Sequence, residues 1–316
     1  MHNQIYNVKT KIKNAFSSRV NAIGLPILAL CWISFFWGTT WIASKEGVKH
    51  MPALQLVAIR QFLGGFLYIS YFLFKKTPWP KGKQWKTIII LSFLNFVLSN
   101  ALSTWGVKYI SSGLGAIIGA CVPLWIVIIS FFQGERLSKF SILGLIISFS
   151  GVCVIFYDHL ADFLIPDFKF GIIISIISTL TWAFGTLYTK QKAASFNPYF
   201  SLGIQMFLSS ILVFAYTGAA GISVPLHEIP AISWWSIAYL VIFGSVLTFI
   251  AFIYALQHLP ASISSVYSYI NPIIAVLLGA IIFGETLNAA IAIGGSVTLF
   301  GLYLVNYSLR KARAKE

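Results

Sequence analysis

Two stretches of the chain follow nearly the same pattern: SGLGAIIGACVPLW at residues 112–125 and ASISSVYSYINPII at residues 261–274. Each is an apolar segment with a central proline, and each is followed by Gly-Glu, at 134–135 and at 284–285. A further apolar segment with two glycines seven residues apart comes next in both copies: Gly144 and Gly151, then Gly294 and Gly301. Since an internal repeat shapes the fold of a whole chain, we expect two copies of one helical unit.

The composition indicates that lipid surrounds these segments. The 316 residues are 58% hydrophobic and 9% charged, whereas a soluble domain carries roughly 25% charged residues. Ten apolar segments lie near the length of about 20 residues that a spanning helix needs: 24–44, 54–74, 87–107, 112–132, 141–157, 170–189, 199–217, 233–256, 261–283 and 289–308. The sequence therefore predicts an all-α integral membrane protein with ten transmembrane helices.

The basic residues are distributed unevenly over the predicted connections. The termini and the loops after the even-numbered spans hold 17 of the 22 Lys and Arg residues, the other loops hold four, and Arg60 lies within the second span. Loops rich in Lys and Arg stay in the cytoplasm, so both termini are predicted to be cytoplasmic. We expect a multi-pass protein of the plasma membrane, of the bacterial inner-membrane type. The net charge of +14 then reflects topology and not nucleic-acid binding.

The repeat extends over the whole chain. Trp37-Gly38-Thr39 aligns with Phe184-Gly185-Thr186, and Arg60 aligns with Gln205, so each half has five spans. Because five is odd, the halves must be inverted relative to each other. The predicted organisation is a basic cytoplasmic tail (1–23), a five-helix repeat (24–157), an extracytoplasmic linker (158–169), a second five-helix repeat (170–308) and a basic cytoplasmic tail (309–316).

Inverted repeats are common in secondary transporters, which bind their substrate near the membrane midplane between the two repeats. Such a pair can open one site first to one side and then to the other, which a receptor or a membrane enzyme does not need. Transport is therefore the predicted function, with channel, enzyme and structural roles as the alternatives.

The same motifs resemble those of the drug/metabolite transporter superfamily, specifically its ten-span EamA-like branch. The resemblance covers about residues 24–308 and depends on Trp37-Gly38-Thr39, Arg60, and the two copies of proline, Gly-Glu and paired glycines. It implies two five-helix units and the export or exchange of small metabolites, often amino acids, through a cavity between the halves.

Polar and aromatic residues within the spans are the candidates for the substrate site, because polar groups in lipid are costly unless they face a cavity or another helix. The candidates for substrate binding are Trp37, Thr39, Arg60, Asn95, Asn100, Trp182, Tyr188, Gln205, Tyr254, Ser265, Tyr269 and Asn271. The alternative for the amides and hydroxyls is hydrogen bonding between helices, and for the aromatic rings it is packing.

Three further features have more than one explanation. Arg60 can hold a substrate carboxylate, or it can extend its guanidinium to the membrane surface. Pro123 and Pro272 disturb the backbone ladder and are either hinges or static kinks. Glu135 and Glu285 end the fourth and ninth spans, where they are expected to cap, pair or orient loops, and the paired glycines are expected to let helices approach closely.

The remaining residues exclude several functions. The sequence has no Walker motif, no metal-ligand spacing and no nucleophile–base pair, so we expect no cofactor, no metal and no enzyme activity. The predicted function is a secondary transporter that moves a small organic metabolite by alternating access, with amino acid export as the leading case. The rivals are a sugar or nucleotide-sugar carrier of the same superfamily and a non-transporting sensor or assembly module.

Overall fold

The computed structural model describes residues 2–134, 138–158, 161–192, 196–259 and 267–313. Every regular element within these ranges is helical, which confirms the all-α fold class. The first half contributes five helices: α1 (His2–Gly47), α2 (Ala53–Phe74), α3 (Lys83–Gly106), α4 (Ser112–Phe132) and α5 (Lys139–Asp158).

The second half also contributes five helices within the described residues. They are α6 (Pro166–Lys192), α7 (Pro198–Ala219), α8, α9 (Tyr267–Phe283) and α10 (Ala289–Arg313). Helix α8 has three consecutive parts, Ala231–Tyr239, the π-helical Leu240–Leu247 and Thr248–His258.

Seven of these helices are long and apolar enough to cross a membrane, over the part of the chain that the structure describes. They are the membrane part of α1 (Gly24–Gly47) together with α2, α3, α4, α6, α7 and α8. The apolar parts of α5, α9 and α10 are shorter, at Lys139–Ile155, Tyr267–Phe283 and Ala289–Val305. Exposed leucine, isoleucine and phenylalanine side chains cover the outside of the bundle, as expected for a surface that faces lipid.

The packing of the helices is symmetric between the two halves. Helix α1 packs on α8 and α9, and its counterpart α6 packs on α3 and α4. Helices α2 and α7, α4 and α9, and α5 and α10 pack as pairs of counterparts. All these contacts are preserved when each helix is exchanged for its counterpart, so the bundle has a pseudo-twofold axis.

The paired glycines of the repeat form the contact between α5 and α10. A Cβ at Gly144 would lie 2.7 Å from the Gly301 carbonyl oxygen, and a Cβ at Gly151 would lie 2.5 Å from that of Gly294. The helices are therefore antiparallel, with their backbones in direct contact, as small residues permit. These glycines therefore let two helices approach closely, as the sequence predicted.

Two interruptions in the helices position the functional residues. Residues Ser92–Ala101 of α3 and Leu240–Leu247 of α8 are π-helical and occupy corresponding places in the two halves. A π-helix is wider than an α-helix and is often found at functional sites. Helix α4 is interrupted at Cys121, two residues before Pro123, whereas α9 continues through Pro272. Neither the π segments nor this difference between the prolines was predicted from the sequence.

One end of the bundle is defined by three hydrogen-bonded connections. Lys45 at the end of α1 bonds the α3–α4 turn, Gln55 at the start of α2 bonds Val224 between α7 and α8, and Glu285 between α9 and α10 bonds the start of α4. We call this end the Lys45 end. The α2–α3, α4–α5, α6–α7 and α8–α9 connections belong to the opposite end of the bundle.

Candidate functional site

A cavity of about 310 Å³ lies in the centre of the bundle. Its wall contains residues of α1, α2, α3, α4, α6, α8 and α9, so both halves contribute. Among the described side chains, none from α5, α7 or α10 lines it. The cavity therefore lies at the interface of the two repeats, where the sequence predicted a substrate site.

Aromatic side chains line one part of the cavity. The Trp37 ring packs against those of Trp182, Phe249, Phe252 and Tyr267, with ring centroids 5.0–6.5 Å apart. The Trp37 Nε1–H donates to the Gly244 carbonyl oxygen at 3.2 Å, which fixes the orientation of the indole. This aromatic cluster offers an apolar surface to a bound solute.

Hydroxyl groups line another part of the wall. Thr40 on α1 and Ser175 and Ser178 on α6 donate their protons to backbone carbonyls three or four residues earlier, at 2.7–2.8 Å. Their oxygens keep lone pairs that can accept hydrogen bonds. The wall therefore presents acceptors without formal charge along these helices.

Arg60 brings a positive charge into the cavity wall. The side chain is only 5% exposed, and its Nε–H donates to Ser245 Oγ at 2.8 Å. Ser245 lies in the π segment of α8. Among the described residues no carboxylate pairs with Arg60, and no group accepts a hydrogen bond from its terminal nitrogens. A buried charge without a counter-ion is costly, so the site is suited to an anionic group of a ligand.

Asn100, also in the cavity wall, is held by a chain of hydrogen bonds from α2 and α7. Ser209 Oγ donates to Gln61 Oε1, and Gln61 Nε2 donates to Asn100 Oδ1 at 3.2 Å and to the Phe96 carbonyl at 3.1 Å. Because the Asn100 oxygen already accepts from Gln61, its amide N–H₂ group is the part that can donate to a ligand. Asn271, also in the wall, donates instead to the carbonyls of Ser34 and Tyr267 at 2.6 and 3.1 Å.

The structure brings part of the predicted site together. Six of the fourteen predicted site residues line the cavity: Trp37, Arg60, Asn100, Trp182, Asn271 and the hinge candidate Pro123. Pro272 lies within α9 and outside the cavity wall. Ser265 lies outside the described residues.

The other predicted site residues lie elsewhere. Thr39 shares a 2.5 Å hydrogen bond with Tyr239, Asn95 donates to Gln205 at 3.5 Å, and Gln205 donates to Ser201 at 2.9 Å. Tyr269 donates to the Leu302 carbonyl at 2.9 Å, the Tyr254 ring packs on His258, and Tyr188 is half-buried outside the wall. Four of these residues make the hydrogen bonds between or within helices that the sequence offered as the alternative: Thr39, Asn95, Gln205 and Tyr269.

Several wall residues were not predicted. Ser175, Ser178, Thr179 and Thr186 line the cavity on α6, and they recur with Trp182 at intervals of three and four residues. This helical spacing of polar residues is a signal in the sequence from which they could have been predicted. Phe249, Phe252 and Tyr267 also line the cavity, but an aromatic residue in an apolar span carries no signal that distinguishes a cavity from packing.

A cavity between two inverted groups of membrane helices, with polar groups in an otherwise apolar wall, is the architecture of a solute transporter. The sequence pattern of the EamA-like transporter family matches residues 24–157 and again residues 169–307. The chain therefore belongs to the EamA-like transporter family and is a multi-pass membrane transporter. The resemblance to the drug/metabolite transporter superfamily is confirmed.

Relatives in bacteria and archaea align along almost the whole chain. The sequence is 25% identical to the "uncharacterized inner membrane transporter YedA" of Escherichia coli K12, over 89% of this chain and 90% of that protein. It is 24% identical to the "uncharacterized transporter YvbV" of Bacillus subtilis 168, over 91% and 93%. A solved crystal structure with 16% sequence identity has the same fold, with a TM-score of 0.62 over 91% of this chain and 97% of that one.

Proposed function

We propose that this transporter carries a small organic solute with a carboxylate group, amino acids being the leading case, by alternating access. The observation that supports the proposal is the buried guanidinium of Arg60, which has a single hydrogen bond to protein and no acidic partner among the described residues. Arginine matches a carboxylate in shape and charge and can bind it through two parallel hydrogen bonds.

The rest of the wall suits a small substrate of this kind. The Asn100 amide can add a third donor, the hydroxyl oxygens of α6 can accept from an ammonium or hydroxyl group, and the aromatic cluster can pack on an apolar side chain. The volume of about 310 Å³ is at the low end of the range known for ligand pockets. Each half of the pseudo-symmetric bundle contributes different groups, as an asymmetric substrate requires.

The cavity also argues against a nucleotide-sugar carrier. A diphosphate carries at least two negative charges and needs several cations for binding. Arg60 is the one cationic side chain in the described cavity wall. The proposal therefore favours a carboxylate over a phosphorylated solute.

We also propose an orientation of the protein in the membrane and a direction of net solute flux. The positive-inside rule places both termini in the cytoplasm and the Lys45 end on the extracytoplasmic side, since the loops of the opposite end hold most of the loop cations. Export towards the Lys45 end is the direction that we propose for the net flux.

Flux through liposomes that contain only the purified protein tests the proposed function. The solutes are labelled amino acids and 2-hydroxy acids, their decarboxylated amine or alcohol analogues, a hexose and a nucleotide sugar, with protein-free liposomes as the control. We expect saturable flux of at least one carboxylate and none of its decarboxylated analogue. Flux of the hexose or nucleotide sugar alone, or of no solute in the panel, would contradict the proposal.

A further inference from the structure

The Gly-Glu sequence at 284–285, which follows α9, lies outside the cavity wall. At the end of α9, Gly284 has a left-handed backbone conformation (φ +65°), and the Glu285 N–H donates to the Gly279 carbonyl at 3.2 Å. Glycine adopts this conformation without a steric penalty. The chain therefore reverses at Gly284 and returns the Glu285 side chain towards the bundle.

Glu285 accepts three hydrogen bonds from the beginning of α4. Its carboxylate oxygens accept from the Ser112 N–H and the Ser112 hydroxyl, both at 2.8 Å, and from the Gly113 N–H at 3.3 Å. The N-terminus of a helix carries partial positive charge, so an anion is stabilised there. A Cβ at Gly279 would clash with both the carboxylate and the Ser112 hydroxyl, so that glycine makes room for the contact.

Lys45 bonds the other side of the same turn. Its Nζ donates to the Val107 and Ile110 carbonyls at 2.8 and 2.6 Å, and these carbonyls follow the end of α3. The C-terminus of a helix carries partial negative charge, which a cation stabilises. A cation from α1 and an anion from the α9–α10 loop thus hold the short turn between α3 and α4 from both sides.

This turn adjoins the end of the cavity. Val107 lines the cavity and also presents its carbonyl to Lys45, and Ser44, the neighbour of Lys45, lines the cavity as well. On the other side of the turn, Gly115 and Ala116 of α4 line it. The neighbouring charges are engaged separately, since Glu46 pairs with Lys49 at 2.7 Å. Movement of the α3–α4 turn away from α1 and α9 would open the cavity at the Lys45 end.

We propose that Glu285, with Lys45, latches the cavity closed at the Lys45 end. The proposal rests on the transport function, since a carrier needs one gate closed while the other opens. Glu135, the equivalent residue of the first half, lies outside the described residues.

Labelling of single cysteines tests the latch without any substrate. In a background that carries Cys31→Ser, Cys121→Ala and Cys153→Ser, Ser103→Cys reports access from the Lys45 end and Thr186→Cys reports access from the opposite end. A membrane-impermeant maleimide is applied to intact cells for the first reporter and to inverted vesicles for the second. Glu285→Gln and Lys45→Met are compared with Glu46→Gln, which removes a neighbouring carboxylate that does not bond the turn.

We expect Glu285→Gln and Lys45→Met to increase labelling of the Ser103 reporter about tenfold, equivalent to about 1.4 kcal/mol, and to slow labelling of the Thr186 reporter. Ser112→Ala, which removes one of the three hydrogen bonds, should produce a smaller change in the same directions, and Glu46→Gln should produce none. Faster labelling of both reporters would indicate general loosening and would overturn the latch, as would unchanged rates. No solute takes part in this labelling experiment. An absence of flux in the liposome experiment would therefore contradict the proposed substrate, whereas faster labelling of the Ser103 reporter with slower labelling of the Thr186 reporter would still support the latch.

Discussion

Phe62 and Phe207 occupy equivalent positions in the two halves, and their rings contact each other with centroids 5.5 Å apart. Two equivalent residues can contact each other in this way only where the pseudo-twofold axis passes between them. One or two residues from this pair along each helix, Gln61 contacts Ser209, and the equivalent contact joins Met206 to Gly64. The same axis relates the Gly144–Gly301 and Gly151–Gly294 contacts. Residues that are equivalent in the two sequence repeats therefore make equivalent packing contacts.

The glycine contact between α5 and α10 predicts a loss of stability on addition of a methyl group. Gly151→Ala would place a Cβ 2.5 Å from both the Gly294 carbonyl oxygen and the Thr298 nitrogen. Overpacking of this kind costs about 1–3 kcal/mol, so the unfolding temperature of the detergent-solubilised protein should fall. Gly218→Ala is the control, because no atom lies within 4 Å of its new Cβ. Equal unfolding temperatures for the two variants would contradict direct backbone contact of these helices.

The polar network of α2 and α3 predicts that two amide side chains contribute very differently to stability. Gln61→Leu removes the side-chain hydrogen bonds to Ser209, to the Phe96 carbonyl and to Asn100 Oδ1, although Ser209 keeps its bond to the Met206 carbonyl. A buried polar group that loses its partner costs about 1–3 kcal/mol. Asn95→Leu loses only a 3.5 Å contact with Gln205 and removes a buried Oδ1 atom that has no partner. We expect Gln61→Leu to unfold at a clearly lower temperature and Asn95→Leu to be nearly neutral. The reverse order of the two unfolding temperatures would contradict this description of the network.

The distribution of basic residues predicts the orientation in the membrane. A reporter that is active only in the cytoplasm, fused after Glu316, should be active, and a reporter that is active only outside the cytoplasm should be active when inserted in the exposed loop at Gly221 between α7 and α8. Both expectations follow from the excess of Lys and Arg in the connections of the opposite end. The reverse pattern of activity would overturn the orientation and, with it, the side to which the latch at Lys45 belongs.

The fold was largely predictable from the sequence, and the site only in part. Apolar length identifies helices such as Ala53–Phe74 without any knowledge of the tertiary structure. The face that a polar residue presents depends on helix rotation, and the π segment at Ser92–Ala101 changes that rotation. Asn100 lines the cavity, whereas Asn95 turns towards Gly185 and Gln205. Two residues five positions apart point about 140° apart on a regular α-helix, so the sequence alone does not show which of the two faces the cavity.

The contacts of Arg60 and Glu285 could not be predicted because they depend on distant parts of the chain. The sequence left Arg60 with two explanations, and its Nε–Ser245 contact, which joins residues 185 positions apart, holds the guanidinium in the cavity wall. Glu285 was expected to cap, pair or orient a loop. It caps α4, a helix that begins 173 residues earlier in the chain.

The proposed role of Arg60 is to bind the carboxylate of the transported solute, and the concentration dependence of flux in Arg60 variants is the decisive measurement. For the carboxylate that the panel identifies, Arg60→Gln should raise the half-saturating concentration about tenfold or more. Loss of a hydrogen bond to a charged group costs about 1.5–3 kcal/mol. Arg60→Lys should restore only part of the affinity, since lysine lacks the planar fork. Lys108→Gln removes an exposed cation of the α3–α4 turn at the Lys45 end and should leave the half-saturating concentration unchanged. Half-saturating concentrations that are the same in Arg60→Gln, Lys108→Gln and the unmodified protein would contradict the claim.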